Sequence, residues 1–166
     1  MKGVEEKDAV LALYRTTVRN MLASDKPGVV PNSSFKHASI IIEELVRCAK
    51  QRISAFCEKL SSEVWTPSVI DQLQEAIKNK VDIRIVLNTK PDVPPPPFLV
   101  PCIRLLVAED SAPVEKLGHF TVVDGKSLRL EEDRTTRKAL FAANLPQVAR
   151  ELDRIFAVLY ENGKAI

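Results

Sequence analysis

The sequence predicts an α/β fold, a mixed sheet flanked by helices in a single domain. Three stretches carry that prediction. Arg52–Leu60, a helical stretch from Pro67 to near Asn79, and Val81–Leu87 read as strand, helix, strand, the unit that sets two strands parallel. Leu117–Asp133 (L-G-H-F-T-V-V-D-G-K-S-L-R-L-E-E-D) reads as two short strands turning at Asp124-Gly125, and a hairpin is antiparallel. Ala38, Ile41, Ile42, Leu45, Val46 and Ala49 recur at helical spacing, an apolar stripe suited to packing on a sheet.

In chain order, Val4–Ala23 spaces Val10, Leu11, Leu13, Tyr14, Val18, Met21 and Leu22 as an amphipathic helix, which stops before Lys26-Pro27-Gly28. Gly28–Asn32 reads as an extended link. Residues 1–32 are therefore expected to be a helix and linker, and residues 33–166 the main domain. Asn32, Ser33 and Ser34 offer N-caps to the second helix, whose last turns hold Arg47 and Lys50. The following strand sets Ile53, Ala55 and Cys57 on one face and Ser54 and Phe56 on the other. Thr66-Pro67 is a cap followed by a first-turn proline. Pro91–Pro101 contains four successive prolines and excludes both helix and central strand. It reads as a stiff polyproline II excursion, either a rigid surface loop or a ligand for a protein partner. Cys102–Ala108 is a third strand, Glu109–Lys116 a polar loop, and Lys138–Ala143 a further short strand. Asn144 is placed to cap the last helix, with Pro146 in its first turn and Gly163 at its stop.

Composition narrows the function classes. A chain of 166 residues is long enough for a normal core, and a net charge of +2 argues for neither nucleic acid nor membrane by itself. No apolar run approaches a membrane span, and the charged start lacks the apolar stretch of a signal peptide, so a cytoplasmic protein is expected. The three cysteines, Cys48, Cys57 and Cys102, are scattered among apolar residues and fit reduced core thiols. No ligand spacing calls for a metal, and no cofactor is expected.

The order of elements over roughly Ser33–Asn162, together with F-T-V-V-D-G-K and the closing A-A-N-L-P-Q-V-A-R-E-L-D, resembles one half of the phospholipase D superfamily. Such halves carry a motif HxK, four residues, Asp, six residues, then GSxN. With Asp124 at the motif aspartate, the histidine position falls on Leu117, the lysine on His119, and GSxN on Glu131-Glu132-Asp133-Arg134. With His119 at the histidine instead, Thr121 stands at the lysine and the aspartate comes two residues early. The lysine is missing in either register. The resemblance implies a phospholipase D-like sheet, a degenerate motif, and a homodimer whose two sites meet. In that family one histidine attacks phosphorus, another protonates the leaving group, and lysines neutralise phosphate oxygens.

Two candidate catalytic residues follow. His119 lies in the motif strand, and His37 lies in the first turns of the second helix, whose positive end suits an anion. Candidate ligand-binding residues are Asn32 and Ser34 at that helix start, Lys59 at the end of the first strand of the βαβ unit, and Arg129 and Glu131 on one parity of the hairpin. Asp133 shares that parity, and an ion-pair ladder with Arg134, Arg137 or Lys138 is the plainer use of these charges. The first functional reading is a non-catalytic module that dimerises and binds a phosphate-bearing ligand, nucleic acid or a protein partner, in the manner of an accessory protein of prokaryotic defence or mobile elements. The alternative is an active, metal-independent phosphodiesterase or nuclease built from His37, His119 and Lys59.

Overall fold

A computed structural model describes residues 2–106, 117–133, 135–136 and 138–166, with residues 2–6 as backbone. Among these residues the chain forms four α-helices on one sheet of eight strands. The helices are α1 (Lys2–Ala23), α2 (Phe35–Cys48), α3 (Pro67–Lys78) and α4 (Pro146–Asn162). The strands are β1 (Gly28–Asn32), β2 (Arg52–Cys57), β3 (Asp82–Leu87), β4 (Ile103–Leu105), β5 (Phe120–Val123), β6 (Ser127–Asp133), β7 (Lys138–Ala143) and β8 (Lys164–Ala165). Their order is β1-β7-β6-β5-β2-β3-β4-β8. β2, β3 and β4 run parallel, and every other pairing is antiparallel, so the sheet is mixed as predicted.

The two parities of β2 feed two cores. Ile53, Ala55 and Cys57 join Ile41 and Leu45 of α2, Leu73 of α3 and Val18 of α1. Phe56 joins Phe120 and Val122 of β5 and Leu152 and Phe156 of α4 on the opposite face. The stripe of α2 is buried where the spacing put it, at Ala38, Ile41, Ile42, Leu45 and Val46. Ser34 caps α2, its Oγ accepting the His37 N–H at 3.1 Å. Thr66 caps α3 by accepting the Val69 N–H, with Pro67 at the first helical position.

The turn after β5 takes positive φ at both Asp124 (53°) and Gly125 (63°), the pattern of a type I′ turn, whose twist matches a hairpin. The Asp124 carboxylate reaches across to the next strand. It accepts the N–H groups of Lys50 (2.9 Å), Gln51 (2.8 Å) and Arg52 (2.9 Å), so the hairpin turn holds the entry to β2.

Several expectations change. Gly28–Asn32 is a strand at one edge of the sheet, paired with Ala139–Ala143. Pro31 is tolerated because an edge strand needs no ladder bond on its outer side. Asn144 does not cap α4, whose N-cap is Leu145. Asn144 sits at φ 55°, and its Nδ2 donates to the carbonyls of Met21, Ser24 and Lys26, pinning the link between α1 and β1. Gly163 ends α4 without a left-handed φ, at −74°. A glycine stands there because a Cβ would press on that of Arg104. β2 stops at Cys57, three residues early. The third strand is shorter than predicted at Ile103–Leu105, and Val107, Ala108 and the loop Glu109–Lys116 lie outside the described residues, as do Arg134 and Arg137. The proline stretch is tied to the body at Leu99, which is fully buried, and Asp92, which pairs with Lys59 at 2.7 Å.

No helix among the described residues is long and apolar enough to cross a membrane. The three cysteines are unpaired thiols. Burial pushes Cys57 up to about 12 and Cys48 to about 11, which keeps both protonated and unreactive near neutrality.

Candidate ligand-binding site

A cavity of about 530 Å³ opens where the C-terminal end of β2 meets the N-terminus of α2 and the outward ends of β5 and β6. The parallel strand and the helix before it run in opposite directions, which brings the start of α2 to the strand end where sites of open α/β sheets collect. Ser34, Lys59, His119, Arg129 and Glu131 all line this cavity. Asn32 stands behind it, 3% exposed. His37 does not line it. One turn past the cap it lies on the flank of α2, stacked on Tyr14 of α1 with ring centroids 4.2 Å apart.

Arg129 is the best-fixed cation. Thr121 and Arg129 are register partners on β5 and β6, so both project to the α2 side. The Arg129 Nε donates to Asn32 Oδ1 at 3.0 Å, while Asn32 Nδ2 donates to the Ser34 carbonyl at 3.0 Å. The amide of Asn32 thus links the α2 cap to the guanidinium and fixes its plane. Burial pulls the guanidinium below its ordinary value, and nearby Glu131 opposes that shift. An arginine remains charged under such a shift.

His119 is held on both sides. Its Nε2 accepts the Glu58 N–H at 3.1 Å, and its Nδ1 faces the Glu131 carboxylate at 3.5 Å. A ring nitrogen that accepts a hydrogen bond carries the lone pair, so the proton of the neutral ring lies on Nδ1. The same bond explains why β2 ends at Cys57: the next backbone N–H is taken by a side chain instead of the ladder.

Gly118 is placed by a close approach. A Cβ there would collide with the Glu131 backbone carbonyl. Gly118→Ala is expected to cost about 2–3 kcal/mol and to displace His119 from Glu58. Urea unfolding of the variant measures the first effect, and loss of ligand binding reports the second.

Several site residues were not among the sequence candidates. Trp65, the single tryptophan, and Phe35 form apolar walls, and Thr121, Glu58 and Glu63 add polar groups. A lone tryptophan directly before the Thr66-Pro67 cap, in the loop leaving a parallel strand, was an available signal. Asp133 departs from the parity it shares with Glu131, because a bulge lies between them. It accepts the N–H groups of Thr135 and Thr136 instead of facing the cavity. Among the described residues no group of three His, Cys, Asp or Glu side chains is placed to hold a metal ion.

This arrangement of strands and helices is the phospholipase D-like fold. Two solved structures show it over 85% of this chain and 99% of their own. They are Nuc, a phospholipase D family member from Salmonella typhimurium (TM-score 0.64, 15% identity), and NucT from Helicobacter pylori (TM-score 0.60, 7% identity). TrmBL2, an archaeal chromatin protein whose structure shows a novel mode of DNA binding, matches over 99% of this chain and 64% of its own (TM-score 0.60, 13% identity). At these identities the likeness is one of fold. No family model matches the sequence, and no curated protein matches it.

Proposed function

We propose that this chain is a phospholipase D-like binding module that has lost the fold's hydrolytic reaction, acts as a cytoplasmic homodimer, and takes an anionic ligand in the cavity at Arg129. The observation that carries the reading is the state of His119. A nucleophilic histidine must aim a ring lone pair at phosphorus. Here the one lone pair of the neutral ring accepts the Glu58 N–H, and the other nitrogen faces Glu131. The motif alignment adds that no lysine stands beside it, and Thr121 or His119 occupies that place. A phosphate transferred at this point would meet Glu131 where the motif has its glycine.

The cavity supports ligand binding in place of turnover. Its volume is that of a small-molecule site, its walls mix polar and apolar groups, and a guanidinium is fixed at one side. TrmBL2, a DNA-binding protein, shares the fold over 64% of its chain, which makes nucleic acid the first macromolecular ligand to test.

The test is a panel of single- and double-stranded DNA, RNA and bis(4-nitrophenyl) phosphate incubated with the purified chain in EDTA. The expected outcome is no cleavage above buffer. Cleavage that disappears in His119→Ala would establish the opposite reading, an active metal-independent phosphodiesterase. Sedimentation velocity checks the dimer, and a monomer at all concentrations removes that part of the proposal.

A further inference from the structure

The proline stretch between β3 and β4 has a shape and an exposure that the cavity does not use. We propose that residues 93–97 are a preformed polyproline II ridge that docks into an aromatic-lined groove of a second protein.

The backbone of the ridge is set by its own residues. Each of Pro94, Pro95 and Pro96 has φ held at about −65° by its ring and ψ held extended by the proline that follows. Those are polyproline II dihedrals, with about three residues per turn. The ridge ends at Pro97, where a turn begins and the Leu99 N–H donates to the Pro96 carbonyl at 2.9 Å. Both ends are tied to the body. The Thr89 N–H and Oγ1 each donate to the Glu58 carbonyl at 3.0 Å, and Asp92 pairs with Lys59 at 2.7 Å. Leu99 is fully buried in the core on the α2 side. A segment held in this way loses little conformational entropy on binding.

Exposure follows the period of the ridge. Pro94 and Pro97 lie one turn apart, roughly 9 Å along the axis, and so share an edge. Both are exposed, whereas Pro95 and Pro96 between them are half-buried. Val93 is 75% exposed, more than any other large apolar side chain described. Packing on the body accounts for the inner pair and for Leu99. It leaves the edge of Val93, Pro94 and Pro97 bare in water.

That edge has the chemistry of a ligand for aromatic rings. Pro94 and Pro97 stand at the PxxP spacing that docks on aromatic-lined grooves, and Val93 extends the same apolar surface by one side chain. Among the described residues none donates a hydrogen bond to the carbonyls of Val93, Pro94 or Pro95, so they remain acceptors for the tryptophan N–H or tyrosine O–H groups of such a groove. Strand addition is a poor fit, because four successive prolines bring no N–H to a ladder.

Isolated SH3, WW and EVH1 domains, labelled with nitrogen-15, are the probes of that groove chemistry. Each is titrated separately with the unlabelled full chain and followed by NMR. At least one domain should show saturable shifts confined to its aromatic groove, with a Kd at or below about 0.5 mM. Pro94→Ala and Pro95→Ala form a matched pair, since each alanine still precedes a proline and keeps its extended ψ. Pro94→Ala should weaken binding at least about fivefold, and Pro95→Ala less than about twofold. Absence of groove shifts with all three domains at about 1 mM chain overturns the proposal, and this wild-type series decides even where a variant does not fold. Shifts outside the groove, or a Pro94→Ala variant that binds as tightly as Pro95→Ala, overturn it as well. The cavity reading stands or falls separately, on the cleavage panel.

Discussion

Glu44→Gln is expected to destabilise the chain by roughly 2 kcal/mol, lowering its melting temperature by roughly 5–8 °C. Glu44 is fully buried on α2 and accepts five hydrogen bonds from three guanidinium groups. Arg15 reaches it at 3.0 Å, Arg19 at 2.8 and 3.1 Å, and Arg47 at 2.7 and 3.0 Å. Arg15 also bridges to Glu43 at 3.0 Å. The contacts of Arg15 and Arg19 dock α1 on α2, beside the apolar contact of Val18, while that of Arg47 lies within α2. Burial alone would push the carboxyl up. The hydrogen bonds from Arg19, Arg47 and Arg15 overcome it and hold the group at about 2, against an ordinary 4.5. The arginines are 32%, 50% and 43% exposed, so water screens part of this energy. The sign of the pH effect follows. A depressed carboxylate contributes fully above its unfolded value near 4.5, and the contribution disappears as pH falls toward 2. Thermal melts of wild type and Glu44→Gln should therefore differ most near neutrality and converge across that window. A constant difference down to pH 2 would show that Glu44 acts through packing and not through its charge.

Asp124→Ala is expected to be costlier, at about 3 kcal/mol in urea unfolding. Three backbone N–H groups, of Lys50, Gln51 and Arg52, lose a charged acceptor at once. Alanine must also adopt a φ of 53°, which asparagine and aspartate tolerate better. Asp124→Asn keeps that tolerance but turns an –NH2 group toward a backbone donor, so its loss should fall between wild type and alanine. Asp124 thus serves the fold. It clamps the hairpin turn to the start of β2 whether or not the neighbouring histidine does chemistry.

Legibility in the sequence tracked the range of the interaction. The α2 stripe, the βαβ unit and the Asp124-Gly125 turn are local patterns, and each was placed within a few residues. β1 was read as a link because five residues containing Pro31 carry no periodicity. Its identity as a strand comes only from pairing with β7, more than a hundred residues away. Asn144 looked like a cap for the same reason. Its side chain serves carbonyls at Met21, Ser24 and Lys26, partners no local rule reveals.

The site divides in the same way. Ser34, Lys59, His119, Arg129 and Glu131 could be brought together in thought because strand ends and hairpin parity are readable. That Asn32 would hold Arg129, and that a backbone N–H would occupy His119, could not. His37 was misplaced by helix phase alone: three residues beyond the cap, it has rotated off the cavity wall toward Tyr14.

The most direct test of the central claim is to look for the covalent intermediate of the fold's usual reaction. The chain is mixed with excess bis(4-nitrophenyl) phosphate in EDTA, quenched in base to preserve phosphoramidates, and examined by intact-protein and peptide mass spectrometry. A ring whose lone pair accepts the Glu58 N–H should yield unmodified His119 at every time point. A phosphoryl adduct on His119, absent from His119→Ala, would contradict the account.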